Sequence, residues 1–135
     1  MQRLFLDANV LFTAAHNPGG QAALVISLGQ SGLWQLATSA YAKEEAHRNL
    51  IRKFPSCVHR FADIIRTIRL VSDRINLLCP ACLPEKDWPI YRAAHACGAD
   101  VLLTGDLRDF GPLMNQPHLA DGLLIQTVAD FLLNL

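Results

Sequence analysis

Cysteines and long apolar runs, the usual marks of disulfide-rich secreted domains and of membrane spans, are scarce in this sequence. Its 135 residues include four cysteines at irregular intervals, which indicate no disulfide framework. Cys79 and Cys82 form a Cys-x-x-Cys pair, but no second pair of cysteines or histidines lies at the distance that a zinc finger needs. We therefore expect reduced, mostly buried thiols, with a redox or metal role for Cys79 and Cys82 as the alternative.

Charged residues are absent between Ala8 and Ala42, yet polar side chains interrupt this segment too often for a membrane span. Asp7 likewise interrupts the first apolar stretch, which argues against a signal peptide. The net charge is zero, so composition indicates no nucleic-acid partner. Residues 43–74 nevertheless carry eight bases and four acids, and residues 85–135 carry three bases and seven acids. This separation of basic and acidic residues would place a bound polyanion next to a cation site. Alternatively, it reflects only charged helix faces that are exposed to solvent. We expect a soluble cytoplasmic protein without a membrane partner.

Apolar residues make up 51% of the chain and alternate between short strands and helices. We expect one domain, residues 1–135, around a single core. Because helices separate the strands, the pattern predicts a three-layer α/β/α sandwich with a central parallel sheet of four to five strands. The predicted strands cover residues 3–6, 33–37, 68–71, 101–104 and 123–126. The predicted helices cover residues 8–15, 21–28, about 39–53, 56–67 and 88–97, with a last one capped by Thr127.

Two acids follow short apolar strands. Asp7 comes directly after the first strand, and Asp106 follows the fourth beyond Gly105. In a parallel sheet all carboxyl ends lie at one edge, where open α/β sheets bind their ligands, so these carboxylates are expected to converge. For Asp7 the alternative is a helix N-cap. Asn9 is placed either to orient Asp7 or to form a turn.

Helical spacing separates the neighbouring acids Glu44 and Glu45. With Ala42 at zero and about 100° per residue, Ala46 and Leu50 extend the packed stripe. Glu45 then lies at roughly −60°, on the border of the stripe, and Glu44 at roughly 200°, towards solvent. We therefore expect Glu45 to face the cleft at the sheet edge. An exposed Glu45 that pairs with a basic neighbour is the alternative.

Asp87 opens the next helix, where Pro89 in the first turn fits a helix start and makes N-capping an alternative role. Carboxylates packed together repel one another unless a cation neutralises them. Oxygen-only ligands select Mg²⁺ or Mn²⁺, ions that activate water and polarise phosphoryl groups. This chemistry is typical of nucleases, and the candidate acids are Asp7, Glu45, Asp87 and Asp106.

At these residues the chain resembles the PIN-domain family of metal-dependent ribonucleases, and within it a group of toxins from toxin–antitoxin pairs. The resemblance is carried by LFLDANVLFTAAHNPGG (4–20), TSAYAKEEAHRNL (38–50) and KDWPIYRAAHACGADVLLTGDLRDFG (86–111), which together span nearly the whole chain. It implies an α/β/α fold and a homodimer. It also implies that the catalytic and metal-binding acids are Asp7, Glu45, Asp87 and Asp106. Asp109 is then an accessory metal ligand, and Asn9 and Thr104 are supporting residues.

The sequence therefore predicts an endoribonuclease that hydrolyses RNA phosphodiester bonds with one or two Mg²⁺ or Mn²⁺ ions, and an antitoxin partner if the protein is a toxin. Candidate bases for RNA phosphate contacts are Arg48, Arg52 and Lys53. Two alternatives remain, a non-catalytic PIN-like module that binds RNA or protein, and an aspartate-nucleophile phosphatase. The phosphatase needs a second acid where this chain has Asn9, and a lysine on a later helix.

Overall fold

The central element of the molecule is a parallel sheet of five strands. In the computed structural model, which describes residues 1–72 and 76–135, the strands lie in the order β3-β2-β1-β4-β5. Each neighbouring pair is parallel, which confirms the predicted fold class. The strands are β1 (Arg3–Leu6), β2 (Gln35–Ser39), β3 (Arg69–Val71), β4 (Val101–Leu103) and β5 (Leu124–Gln126).

Helices cover both faces of this sheet. The chain runs from β1 to β3 in one direction and then crosses back to place β4 and β5 on the other side of β1. Right-handed crossovers therefore put the helices between β1 and β3 on one face and those between β3 and β5 on the other. The helices are α1 (Ala8–His16), α2 (Gln21–Gln30), α3 (Ala40–Lys53), α4 (Val58–Ile65), α5 (Trp88–Ala96), α6 (Leu107–Phe110) and α7 (Val128–Leu133).

The change of direction leaves a crevice at the carboxyl ends of β1 and β4, the position where open α/β sheets bind ligands. The two strands pair with Leu6 opposite Leu103. The backbone N–H of Asp7 donates to the Leu103 carbonyl over 3.0 Å. Leu4 and Phe5 are fully buried, as expected for a central strand covered by helices on both sides. This register brings the residues after β1 and β4 within hydrogen-bonding distance of one another.

Strand β2 and helix α4 differ most clearly from their predicted bounds. Strand β2 begins at Gln35, two residues later than predicted, because Gly32 turns the chain with a φ of +95° and a backbone bond still ties Leu33 to α2. Helix α4 is shorter than predicted at both ends. Its predicted start is a separate 3₁₀ turn over Pro55–Cys57, whose tighter hydrogen bonding interrupts the α-helix.

All four cysteines, whose role the sequence leaves open, are free thiols. Cys57, Cys79 and Cys97 are half-buried, whereas Cys82 is exposed. The prediction of mostly buried thiols is therefore wrong for Cys82, because the connector ahead of α5 leaves its side chain at the surface.

Among the described residues, no helix has both the length and the apolar character needed to cross a membrane. Asp73 and Arg74, which contribute to the charge count of the basic stretch, lie outside the described residues.

Candidate metal centre

A hydrogen-bond network around Asp7 occupies the centre of the crevice. Thr104, fully buried just after β4, donates from its hydroxyl to Asp7 Oδ2 over 2.8 Å. Asn9 Nδ2 donates to the same oxygen over 3.2 Å, while Asn9 Oδ1 accepts the Gly105 N–H over 2.6 Å. Asp7 Oδ1 accepts the Ala8 N–H over 2.7 Å, so both carboxylate oxygens are held in one orientation. We call Asp7, Asn9 and Thr104 the inner group.

Asp7 is both the N-cap of α1 and a buried acid in the crevice, so the two interpretations of this residue are compatible. Burial raises the pKa of Asp7 from 3.8 to about 6. Hydrogen bonds from Thr104 and Ala8 oppose this rise, and the nearby carboxylates of Glu45 and Asp106 add to it. A bound cation would therefore stabilise the charged form of Asp7.

Three further acids, Asp87, Asp106 and Asp109, form what we call the outer group. One carboxylate oxygen from each lies within 4.8 Å of the other two. Asp106 Oδ1 accepts the Asp109 N–H over 3.0 Å at the start of α6, which brings these two side chains together. The Asp106 N–H donates to Thr104 Oγ1 over 3.1 Å. The hydroxyl of Thr104 thus joins the outer group to the inner group.

Asp87 reaches the outer group from a 3₁₀ turn over Glu85–Asp87. Its side chain makes no capping bond to α5, so the N-capping alternative is wrong for this residue. Its Oδ2 is buried and has no hydrogen-bond partner within the described part of the chain. Burial, together with a hydrogen bond to Asp109, raises the pKa of Asp87 to about 7. A buried oxygen without a partner costs free energy, and a cation would satisfy it.

Lys86 also belongs to the centre, although nothing in the sequence pattern singles it out. Its Nζ lies 2.8 Å from Asp109 Oδ2, and the lysine side chain is 70% exposed whereas that of Asp109 is 10% exposed. The hydrogen bonds from Lys86 and Asp87 hold the pKa of Asp109 below its usual value. The contact joins the turn ahead of α5 to α6, and such a long-range contact is visible only in the folded chain.

Helix α3 contributes Glu45 and Tyr41 to the crevice. Glu44 is exposed and Glu45 is half-buried, in agreement with the predicted helical angles. Burial raises the pKa values of Asp7 and Tyr41, and the charge of Glu45 raises both further. The Tyr41 hydroxyl, which the sequence does not single out either, donates to the Lys86 carbonyl over 3.0 Å. This bond ties α3 to the turn ahead of α5.

The three candidate RNA-binding bases are exposed residues of α3. Arg48 and Arg52 follow Glu45 by three and seven residues, so all three side chains share one face of the helix. Arg48 lowers the pKa of Tyr41, which puts its positive charge near the crevice. Lys53 points elsewhere, with its Nζ 5.7 Å from the centre of a phenylalanine ring of α1. The structure therefore groups Arg48 and Arg52 with Glu45 and separates Lys53 from them.

A cleft of about 590 Å³ opens beside the inner group, between α1, α2 and the loop after β4. Asn9 and Gly105 belong both to its lining and to the network around Asp7. The other polar side chains of the lining are Thr13, Asn17 and Gln21. None of the described residues in the lining is charged. The crevice thus continues from its acids into a polar, uncharged cleft.

The donor atoms of the crevice fit a hard divalent cation. The clustered ligand atoms of the outer group are all carboxylate oxygens, the atoms that Mg²⁺ and Mn²⁺ prefer. The buried Oδ2 of Asp87 has no other partner in the described chain. The raised pKa values of Asp7 and Asp87 reflect burial and accumulated negative charge, which a cation offsets. Lys86 opposes the binding of a cation, because its ammonium already pairs with Asp109.

Three of the solved structures with a similar fold contain VapBC proteins. VapBC2 from Rickettsia felis, bound to a DNA fragment from its promoter, has a TM-score of 0.64 and 14% identity over 93% of this chain and 98% of that chain. VapBC-1 from nontypeable Haemophilus influenzae has a TM-score of 0.58 and 14% identity over 95% and 99% of the two chains. DNA-bound VapBC from Salmonella typhimurium has a TM-score of 0.60 and 15% identity over 95% and 99%.

No family model and no curated protein matches the sequence. At identities of 14% or 15%, the likeness to the three VapBC structures concerns the fold, and it extends over nearly the full length of both chains in each pair. The chain therefore has the PIN-like α/β/α fold that its sequence predicts, and it shares this fold with chains of VapBC proteins.

Proposed function

We propose that the protein is a divalent-metal-dependent endoribonuclease that hydrolyses RNA phosphodiester bonds, and that it is the toxin of a toxin–antitoxin pair. The observation that carries this proposal is the clustering of acids from β1, α3, the turn ahead of α5 and α6 at one crevice, where Asp87 keeps a buried oxygen without a partner in the described chain. Repulsion among these acids is costly unless a cation joins them.

In this proposal Asp7, Glu45, Asp87 and Asp106 hold the Mg²⁺ or Mn²⁺, with Asp109 as an accessory ligand. When bound, the ion supplies Lewis-acid stabilisation of the phosphoryl oxygens and an activated water. Asn9 and Thr104 are positioning residues in the inner group, because both donate to Asp7 Oδ2 while the Ala8 N–H holds Oδ1.

RNA is the polyanion that the surroundings of the crevice suit best. The positive charges of Arg48 and Arg52 lie on the same face of α3 as Glu45, where they would attract the phosphates on either side of the scissile bond. Lys53 is a weaker candidate because it packs over an aromatic ring instead. The polar cleft beside Asn9 and Gly105 offers hydrogen-bonding groups to a neighbouring nucleotide.

The proposed protein partner is an antitoxin. Three structures with a similar fold are of VapBC proteins, two of them bound to DNA, and this supports a cognate partner chain for the present protein. The homodimer and the cytoplasmic location stay predictions from the sequence.

The structure favours neither of the two alternative functions. A phosphatase needs Asp7 free to attack, whereas both Asp7 oxygens accept hydrogen bonds and the residue is only 5% exposed. The lysine that a phosphatase requires would have to serve Asp7, but Lys86 pairs with Asp109. In a non-catalytic module that binds no metal ion, nothing would offset the free-energy cost of the buried Asp87 oxygen that has no partner in the described chain. A covalent phosphate trapped on Asp7, or tight RNA binding without cleavage, would restore the respective alternative.

The decisive experiment incubates the purified protein with structured RNAs in Mn²⁺ or in chelator. We expect cleavage in Mn²⁺ only, and none in Asp7→Asn or Asp106→Asn. Glu45→Gln and Glu44→Gln form a matched pair on the same helix turn, in which only Glu45→Gln is expected to lose activity. Cleavage that survives in chelator, or in the Asp7 or Asp106 variant, contradicts the proposed chemistry. Loss of activity in the Glu44 variant alone would contradict the assignment of Glu45.

A further inference from the structure

We infer that Lys86 is a built-in counter-ion of the metal centre, which competes with the divalent cation for the carboxylate of Asp109. Metal binding to the outer group is then an exchange, in which the incoming ion displaces the ammonium of Lys86 from Asp109. This inference rests on the proposed metal-dependent function and adds to it a residue that tunes the affinity for the metal.

The first step of the argument is the contact itself. Lys86 Nζ lies 2.8 Å from Asp109 Oδ2, and an oxygen of Asp109 is one of three that lie within 4.8 Å of one another in the outer group. The ammonium therefore binds the same carboxylate that a metal ion would use. Among the described residues, Lys86 is the one base in ion-pair contact with the outer group.

The second step concerns how Lys86 is held. Its backbone lies in the 3₁₀ turn directly before Asp87, and its carbonyl accepts the hydroxyl of Tyr41 over 3.0 Å. The base of the side chain is thus fixed between α3 and α5 at the mouth of the crevice. From this anchored position the side chain spans the mouth to reach α6, so the contact follows from the fold and not from a chance meeting of two mobile surface groups.

The third step is that the contact is reversible. The Lys86 side chain is 70% exposed, so its ammonium keeps much of its hydration and can return to water at little cost. Asp109 is only 10% exposed, and its backbone N–H is also bonded to Asp106 Oδ1, a contact that does not involve the lysine. Asp87 Oδ2 has no partner among the described residues, so Lys86 neutralises only part of the outer group and leaves an oxygen for an incoming ion.

The test is a titration with Mn²⁺ alone, in which the free ion is measured by electron paramagnetic resonance. The proteins are the wild type, Lys86→Gln, Lys86→Arg, Asp109→Asn and the double variant Lys86→Gln/Asp109→Asn. Lys43→Gln is the matched control, because this lysine lies on α3 beside α4 and is part of no group described here. Circular dichroism and thermal melts establish that each variant is folded.

We expect Lys86→Gln to bind Mn²⁺ up to about fivefold more tightly than the wild type, because no ammonium then competes with the ion for Asp109. Lys86→Arg, which keeps the charge, is expected to stay near the wild type, and so is Lys43→Gln. In the Asp109→Asn background, removing the lysine is expected to change the affinity less than twofold, because the competed carboxylate is gone.

Two results overturn the inference while the proposed function stands. Unchanged Mn²⁺ affinity in Lys86→Gln would mean that the lysine does not compete. A full gain in affinity in the Asp109→Asn background would mean that Lys86 acts only through long-range charge. Absence of Mn²⁺ binding in every protein of the set, including the wild type, would instead remove the metal-dependent function and the inference with it.

Discussion

The two halves of the metal centre are held together in opposite ways. In the inner group, hydrogen bonds from Thr104, Asn9 and the Ala8 N–H direct both oxygens of Asp7. In the outer group, Asp87 has an oxygen without a partner in the described chain, and Asp109 pairs with an exposed lysine. The carboxylate of the inner group is therefore held by neutral donors alone, whereas the outer group also contains an ion pair and an unpartnered buried oxygen.

The centre is therefore only half prepared for a cation. Neutral hydrogen bonds keep their geometry whether or not an ion is present, so the direction of the Asp7 carboxylate is set in advance. The outer group balances burial, repulsion and one ion pair, and these forces change with metal, pH and salt. We expect the two halves to respond differently to changes of pH, to metal ions and to substitutions.

The largest expected effect is a dependence of stability on pH in the metal-free protein. Folding raises the pKa of Asp7 to about 6 and that of Asp87 to about 7, so between about pH 4 and 7 the folded state binds more protons than the unfolded chain. The stability is then fully present below this interval and falls as the pH rises through it, by about 3 kcal/mol from Asp7 alone.

Urea unfolding at pH 5 and at pH 8, in chelator and in Mg²⁺, measures this effect. Because the ion stabilises the charged acids, Mg²⁺ is expected to stabilise the protein more at pH 8 than at pH 5. Asp7→Asn is expected to flatten the profile in chelator. A metal-free protein that becomes more stable between pH 5 and pH 8 would show that burial of these acids does not dominate.

The next effect tests the inner group through Thr104→Val. The substitution removes one bond to Asp7 and leaves Asn9 and the Asp106 N–H without their hydroxyl acceptor. We expect a loss of about 2 kcal/mol of unfolding free energy and a clear loss of nuclease activity, measured by urea unfolding and RNA cleavage.

Thr38→Val is the matched control, since Thr38 is also fully buried at a strand end and its hydroxyl donates only to the Leu6 carbonyl. It is expected to lose about 1 kcal/mol of stability and to keep its Mn²⁺ affinity. Equal losses of metal affinity in the Thr104 and Thr38 variants would mean that Thr104 has no special part in orienting Asp7.

In the outer group, Asp87→Asn is expected to increase the stability of the metal-free protein, whereas Thr104→Val in the inner group decreases it. The amide removes a buried negative charge whose Oδ2 has no partner in the described chain, so the metal-free protein at pH 8 should gain about 1 kcal/mol after allowance for solvent screening. The same variant should lose Mn²⁺ binding and cleavage. Asp63→Asn, at an exposed ion pair with Arg66, is the control and is expected to change neither property. Destabilisation of the metal-free Asp87→Asn protein would argue against this account.

The smallest expected effect is that of Tyr41→Phe, which removes the bond to the Lys86 carbonyl at the partly exposed mouth of the crevice. We expect a stability loss of about 0.5 kcal/mol and a modest change in Mn²⁺ affinity, because the anchor of Lys86 is loosened. Tyr91→Phe is the comparison. The hydroxyl of the buried Tyr91 donates to Asp121 Oδ2 over a distance of 2.5 Å, and neither residue belongs to the metal centre. This variant should lose more stability and leave Mn²⁺ affinity unchanged, and the reverse pattern would contradict the anchoring role of Tyr41.

Several features of the fold and the centre follow from local sequence patterns. Short apolar runs followed by polar residues indicate β1 and β4, and therefore the places of Asp7 and Asp106 at the sheet edge. The spacing of apolar residues along α3 separates Glu44 from Glu45. The start of β2 is less predictable, because Leu33 has the same apolar character as a strand residue but still belongs to the turn after α2.

Other features depend on contacts between distant parts of the chain. Capping and a place in the acidic cluster are equally good local interpretations of Asp87, and only the folded protein shows that its side chain makes no capping bond to α5. Lys86 and Tyr41 have no pattern of their own in the sequence. Their roles come from partners at sequence separations of 23 and 45 residues, on α6 and at the turn ahead of α5.

Local patterns along the chain are enough to predict the α/β architecture and the order in which the acids reach the sheet edge, because strand and helix periods and strand-end positions are local properties. The tertiary structure alone decided which acids share hydrogen bonds, which oxygen has no partner among the described residues and which base pairs with Asp109. Burial, charge and hydrogen bonding depend on distances of a few ångströms between residues far apart in the chain, and packing sets those distances.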